Sequence, residues 1–321
     1  MPEFSERARF SDEFVLVDGI TRAGKFVMAH VVAGFVGMEF FQYSCLLENA
    51  LYLLRLHKID LATCRALLEV DLDISSFNMM VGRYLNTRVS DMSCIYNACD
   101  PAEFVDRAGV LDRDALVEKF QRERRLPLFI SHEGLANVRA LFGIFPRVKM
   151  INLIRDPVML ILSWYKRGWG RRIGNDPRSS WITFKGPSGP FPWWATGWEK
   201  DYNQFSEMDR CVKSIATLSD MARDDFNAAD DAVKARIRMV RFETLVTAPE
   251  VVISQVGDFL ERQPAPGLQT ILTRERLPRV VSGRDRETAL RAIQDQVSVD
   301  LTPVLDRLIH EYEHYWCTLC V

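Results

Sequence analysis

The sequence has no apolar run of the roughly 18–20 residues that a membrane-spanning helix requires. Its longest candidate, residues 26–41, contains His30 and Glu39 and follows a glycine-rich turn, so a buried helix accounts for it. No charge of one sign dominates: 41 Lys and Arg stand against 43 Asp and Glu. That balance supplies no global basic field for nucleic acid, and any polyanion must be held by a local cluster. Residues 1–12 are polar and lack the apolar stretch of a secretory signal, which leads to the expectation of a cytoplasmic protein. The seven cysteines (Cys45, Cys64, Cys94, Cys99, Cys211, Cys317 and Cys320) are odd in number and scattered. They read as reduced thiols, which excludes a disulfide-built scaffold. Cys317 and Cys320 form an isolated CxxC with His310 and His314 nearby, the residue types of a zinc set; a frayed terminal helix is the simpler reading, and no metal is expected.

What the chain does have is apolar material for a full core, with 48% hydrophobic and 26% charged residues. No linker or repeat divides it, so residues 1–321 read as one domain. Short apolar runs at 14–17, 126–130, 148–154 and 237–242 read as buried strands. Helical spacing covers 26–41, 46–56, 61–70, 115–125, 158–166, 208–222, 249–261 and 300–315. This order predicts an α/β fold, a central parallel sheet flanked by helices. It carries a helical insertion at about 42–125 and an irregular loop at about 167–200, rich in Gly, Pro, Trp and Arg, that suits an acceptor site or lid.

Three strand ends carry candidate chemistry. The first is Gly19-Ile-Thr-Arg-Ala-Gly-Lys-Phe26, a turn between a strand and a helix. Inward backbone amides, the helix N-terminus and the cations Arg22 and Lys25 suit a phosphate. The segment nearly matches the G-x4-G-K-[ST] loop of nucleoside triphosphatases, but Phe26 replaces the hydroxyl that would hold Mg²⁺. The second is Arg155-Asp-Pro157 with Ser163 eight residues after the arginine. Arg155 and Ser163 offer a bidentate cation and a hydroxyl, and Asp156 and Pro157 can start the next helix. The third is Ser131-His132-Glu133, where a neutral imidazole can serve as a general base.

Together these segments resemble the PAPS-dependent sulfotransferase family (PAPS is 3′-phosphoadenosine-5′-phosphosulfate; PAP is its desulfated product). The family's Pro-Lys-Ser/Thr-Gly-Thr-Thr loop is matched by Thr21-Arg-Ala-Gly-Lys-Phe26, with Gly24 aligned and Arg22 in place of the lysine. Its strand ending in Arg-[Asp/Asn]-Pro with a later serine is matched by Arg155-Asp-Pro157 and Ser163. Its Ser/Thr-His is matched by Ser131-His132, and its Tyr-Glu-Asp-Leu strand by Val240-Arg-Phe-Glu-Thr-Leu-Val246. The resemblance implies a P-loop-like fold and in-line sulfuryl transfer from PAPS to a hydroxyl or amine of a carbohydrate or small metabolite, without a metal. Thr21, Arg22, Ala23, Gly24, Lys25 and Phe26 would hold the 5′-phosphosulfate, and Arg155 and Ser163 the 3′-phosphate. Arg284 would replace the family's late Arg-Lys-Gly segment. His132 would be the base, Glu39 its rival in the manner of glycan sulfotransferases, and Lys25 would stabilise charge on the bridging oxygen. The competing readings are a Mg·ATP-dependent small-molecule kinase and an inactive PAP- or anion-binding homologue.

Overall fold

The computed structural model describes residues 3–320; Met1, Pro2 and Val321, the outermost positions of the 1–321 span, lie outside the described residues. A five-stranded sheet, ordered β2-β3-β1-β4-β7, forms the centre. Its strands are β1 (Val15–Asp18), β2 (Gln42–Tyr43), β3 (Leu128–Ile130), β4 (Lys149–Ile154) and β7 (Ile237–Arg241), and all pair in parallel. The apolar runs are continuous because helices cover both faces of the sheet. Alternation sorts the strand residues: Leu16, Phe129 and Met150 enter one core, Val15, Val17, Leu128, Ile130 and Ile151 the other. The first core is closed by α2 (Cys45–Arg55), α3 (Leu61–Met80), α6 (Val138–Ile144), α7 (Pro157–Lys166) and the helices Glu207–Asn227 and Thr302–Glu311. The second is closed by α1 (Lys25–Ala33) and the helices Phe242–Thr247, Pro249–Leu260 and Leu268–Arg274.

Several expected boundaries move. The helix over 26–41 stops at Ala33, where Phe35 leaves to pair with Pro264 and fill the second core. The chain then returns as the edge strand β2, which the apolar pattern did not reveal because it is two residues long and only half-buried. In the helical insertion α3 runs on to Met80, and α4 (Pro101–Arg107) and α5 (Arg113–Arg122) follow. The 167–200 loop contains the hairpin β5 (Thr183–Gly186) and β6 (Gly189–Pro192). Trp193 and Trp194 beyond it are fully buried, Trp193 stacked on Tyr52 with centroids 4.2 Å apart.

Parallel pairing sends the C-terminal ends of all five strands to one edge. The segments 19–24, 131–134, 155–157 and 242–243, the outermost more than two hundred residues apart in the chain, therefore gather in the crevice where open α/β sheets bind ligands.

Candidate functional site

The loop after β1 is shaped by two glycines. At Gly19 a Cβ would lie 2.6 Å from the carbonyl oxygen of Leu153, and at Gly24, with φ +104°, it would lie 2.2 Å from the ring of Phe242. The loop thus lies flat against β4 and the start of the Phe242–Thr247 helix. Gly24 also serves as the N-cap of α1 and provides no capping side chain, so the first-turn N–H groups at Lys25 and Phe26 are left for an external acceptor. The half-buried ring of Phe26 packs edge-on against Phe41, and Ala23 is buried beneath the loop. Neighbours fix the rest: Thr21 N–H donates to Glu133 Oε1 (2.8 Å), and Trp164 Nε1–H donates to Thr21 O (2.6 Å).

Two of the motifs meet here. Arg22, in the left-handed region at φ 77°, donates from Nε to Ser163 Oγ (3.2 Å), and Arg155 Nη1 donates to the Arg22 carbonyl (2.6 Å). Arg155 also lies over the Phe242 ring, 4.7 Å from its centroid. Burial, followed by the charge of Arg167, pushes Arg22 down; burial, with Arg22 and Arg279, pushes Arg155 down against Glu243 and Asp156, which favour its charged form. Arginine does not give up its proton in proteins, so the cost of burying these two cations is one that a bound anion would offset. The buried Arg155 Nε and Thr21 Oγ1 have no partner among the described residues. These unpaired donors, beside free helix amides, fit a phosphate or sulfate group. Asp156 does cap α7, accepting from Val158 N–H at 2.8 Å.

His132 follows β3 in a loop pinned by the fully buried Asp18, which accepts from Ser131 Oγ (2.7 Å), Gly134 N (2.9 Å) and Leu135 N (2.8 Å). Its Nδ1 lies 2.6 Å from Glu48 Oε1, which also accepts the His132 backbone N–H, and Tyr52 donates to its carbonyl. Burial, then the charge of Lys25, drives the imidazole down to about 3, so it is neutral at physiological pH. Burial pushes Glu48 up to about 8 against Tyr43, Lys25 and the His132 amide, which favour its charged form. Glu133 has φ 56°, and its other oxygen accepts from Tyr52 and Trp181, the latter on the chain leading into β5.

Three expected site residues sit elsewhere or differently. Lys25 does not project from the helix end; it is buried under the loop, its Nζ donating to the carbonyls of Gly19 (2.6 Å) and Ile20 (3.2 Å) and facing Glu133, Asp18 and Glu48. Glu39 is at the opposite edge of the sheet, where its backbone meets Leu126 just before β3. Its carboxylate is held by Arg107 and Arg125, so it is not brought to His132 or the loop. Arg284 is exposed and makes no hydrogen bond among the described residues, whereas Arg286 reaches Asp156 and Glu313. Nor do His310, His314, Cys317 and Cys320 form a metal-holding group among the described residues. Glu48 and Tyr43 stood in no motif of the sequence, and Trp164 and Phe242 lay in or beside matched segments without a role of their own. Glu48 lies in the first turn of α2, where an acidic residue is ordinary, so no local signal marks it.

No family model and no curated protein sequence matches the chain. Solved structures do. The sulfotransferase domain from the curacin biosynthetic pathway superposes at TM-score 0.51 with 15% identity, covering 96% of this chain and 99% of that one. The sulfotransferase domain from the Synechococcus PCC 7002 olefin synthase aligns at 0.49 with 15% identity over 98% and 99% of the two chains. Sulfotransferase STF9 from Mycobacterium avium aligns at 0.45 with 11% identity over 95% and 76%. At such identities likeness speaks to architecture alone. A parallel five-stranded sheet, flanked by helices and matched end to end by the curacin-pathway domain, identifies this chain as a protein of the sulfotransferase fold.

Proposed function

We propose that this protein transfers a sulfuryl group from PAPS to a hydroxyl or amine of an acceptor, with His132 as general base. The observation that carries the reading is the convergence of Arg22, Arg155 and Ser163 on a loop whose Thr21 is tied to Glu133, the residue after His132. Thr21, Arg22, Gly24 and the first-turn amides of α1 hold the 5′-phosphosulfate, and Arg155 and Ser163 the 3′-phosphate. Two close guanidiniums suit a donor that carries anionic groups at both ends. Lys25, under the loop, braces its carbonyls and adds positive charge near His132, helping to keep the imidazole neutral. The acceptor oxygen gives a lone pair to sulfur and its proton to His132, while the S–O bond to the 5′-phosphate breaks with its electrons left on the phosphate.

The acceptor is a carbohydrate or small metabolite. Trp193 and Trp194 are packing residues with no free face, so stacking contacts from the 167–200 segment fall to the half-buried Trp169 and Trp198. No described helix is long and apolar enough to cross a membrane, and the seven free cysteines accord with a reducing compartment, the cytoplasm. The test is a thermal melt with PAP, with and without Mg²⁺, beside Mg·ATP, followed by a transfer assay over hydroxyl and amine acceptors. Stabilisation by PAP without metal, lost in Arg155→Ala, and label transfer from PAPS are expected. Stabilisation by Mg·ATP alone would replace the reading with a kinase; PAP binding without transfer to any acceptor would leave an inactive homologue.

A further inference from the structure

The insertion contributes one buried carboxylate that the transfer chemistry above does not use. Glu48 on α2 is fully buried, and no Lys or Arg among the described residues pairs with it. A carboxylate taken from water without a cation is costly unless its oxygens are filled by donors. Its oxygens are filled in a particular way. Oε1 takes the backbone N–H of His132 at 2.6 Å and faces Nδ1 of the same residue at 2.6 Å. Oε2 takes the Tyr43 hydroxyl at 2.9 Å, and the Tyr43 ring stands edge-on to the imidazole, 5.4 Å away. The His132 side chain is 17% exposed, and no described residue is hydrogen-bonded to its Nε2. The backbone N–H is an obligate donor, so Oε1 is already an acceptor at the point where it meets Nδ1.

Resting on the sulfotransferase reading, we propose that Glu48 is the positioning residue of the base: as a carboxylate it holds the Nδ1–H tautomer of His132 and leaves the Nε2 lone pair for the acceptor's proton. When that proton arrives, the imidazolium forms against the carboxylate, which keeps its own charge; no proton passes to Glu48 in the step. A protonated Glu48 would instead donate to Nδ1 and put the remaining ring proton on Nε2, closing the base. Glu48 ionisation therefore gates transfer. The charged and titratable groups around the pair are Asp18 from β1, Lys25 from α1, Tyr43 from β2, Tyr52 from α2 and Glu133 from the loop itself. Of these Lys25 favours the carboxylate and Asp18 opposes it. With the carboxyl pushed up to about 8 by burial, kcat/KM rises with pH towards that value.

The experiment combines kinetics on Glu48→Gln and Glu48→Asp with ¹⁵N NMR of the wild-type imidazole at pH 6 and pH 9. In Glu48→Gln, kcat is expected to fall about 100-fold, within the range of a general base's contribution, with donor KM and PAP stabilisation unchanged and the pH limb gone. Glu48→Asp keeps the charge and should recover part of kcat together with the limb. At pH 9 the wild type should show a protonated Nδ1 and a bare Nε2. Wild-type kcat in Glu48→Gln, or an Nε2–H tautomer at pH 9, would overturn the assignment. The NMR arm decides the question should the variants not fold. A wild type that neither binds PAP nor transfers label would sink the sulfotransferase reading itself, an outcome separate from the tautomer result.

Discussion

The two edges of the sheet both bury charge, and they do so in opposite ways. At the N-terminal edge Glu39 is locked by Arg107 and Arg125, and Glu103 completes the cluster by binding the same two arginines. At the C-terminal edge Glu48 and Glu133 pair with no arginine among the described residues, Lys25 is held by carbonyls, and Arg22 and Arg155 stand close, neither in an ion pair with a carboxylate among the described residues. Charges that complete each other need nothing more, and their work is structural. Charges left incomplete, with orphaned donors at Thr21 Oγ1 and Arg155 Nε, store a demand that a ligand can meet.

Breaking each edge should separate activity from stability. The largest effect is expected for His132→Ala, a loss of 10²–10⁴ in kcat, the usual contribution of a general base, with PAP still raising the melting temperature; steady-state assays and melts together check it. Next, Glu39→Ala should cost about 3–5 kcal/mol by leaving Arg107 and Arg125 buried without their anion, measured by urea unfolding, while kcat/KM per folded molecule is unchanged. Loss of activity out of proportion to folding would move Glu39 back into the chemistry. Third, at PAP near 100 times its dissociation constant the wild type should gain about 2.7 kcal/mol, and Arg155→Ala should lose most of it.

Smaller effects sharpen the contrast. Glu48 is raised in the folded state relative to the unfolded chain. The folded protein therefore holds a proton that the unfolded chain has released, and that stability is lost as pH rises towards about 8. His132, lowered to about 3, acts in the other sense and only below the unfolded imidazole range near 6.5. Between roughly pH 6.5 and 8 the wild type should thus lose stability relative to Glu48→Gln, by at most about 1.4 kcal/mol per pH unit. Smallest of all, Arg284→Ala should change stability by no more than about 0.5 kcal/mol, as for any free surface side chain, and leave PAP binding intact in the same melts.

Much of this was present in the order of the residues. Short apolar runs ending in Asp18-Gly19, Ser131-His132 and Arg155-Asp-Pro157 mark strand ends, because a run buried on both faces stays apolar until it reaches the rim. Parallel topology then puts those ends in one crevice, so the meeting of Arg22, Arg155 and Ser163 was legible in the order of the residues. What the sequence could not settle was which glutamate serves which cation or histidine. Glu39 is closer in the chain to the glycine loop, yet it faces Arg107 across 68 residues, while Glu48 reaches His132 across 84. Nor did composition reveal that the Trp193–Trp194 pair is core and Trp169 half-buried. Strand patterns and loop chemistry are local, repeating every two to four residues, and the chain alone determines them. The partner of a buried charge is decided by packing between distant segments, and only the tertiary structure could make that choice.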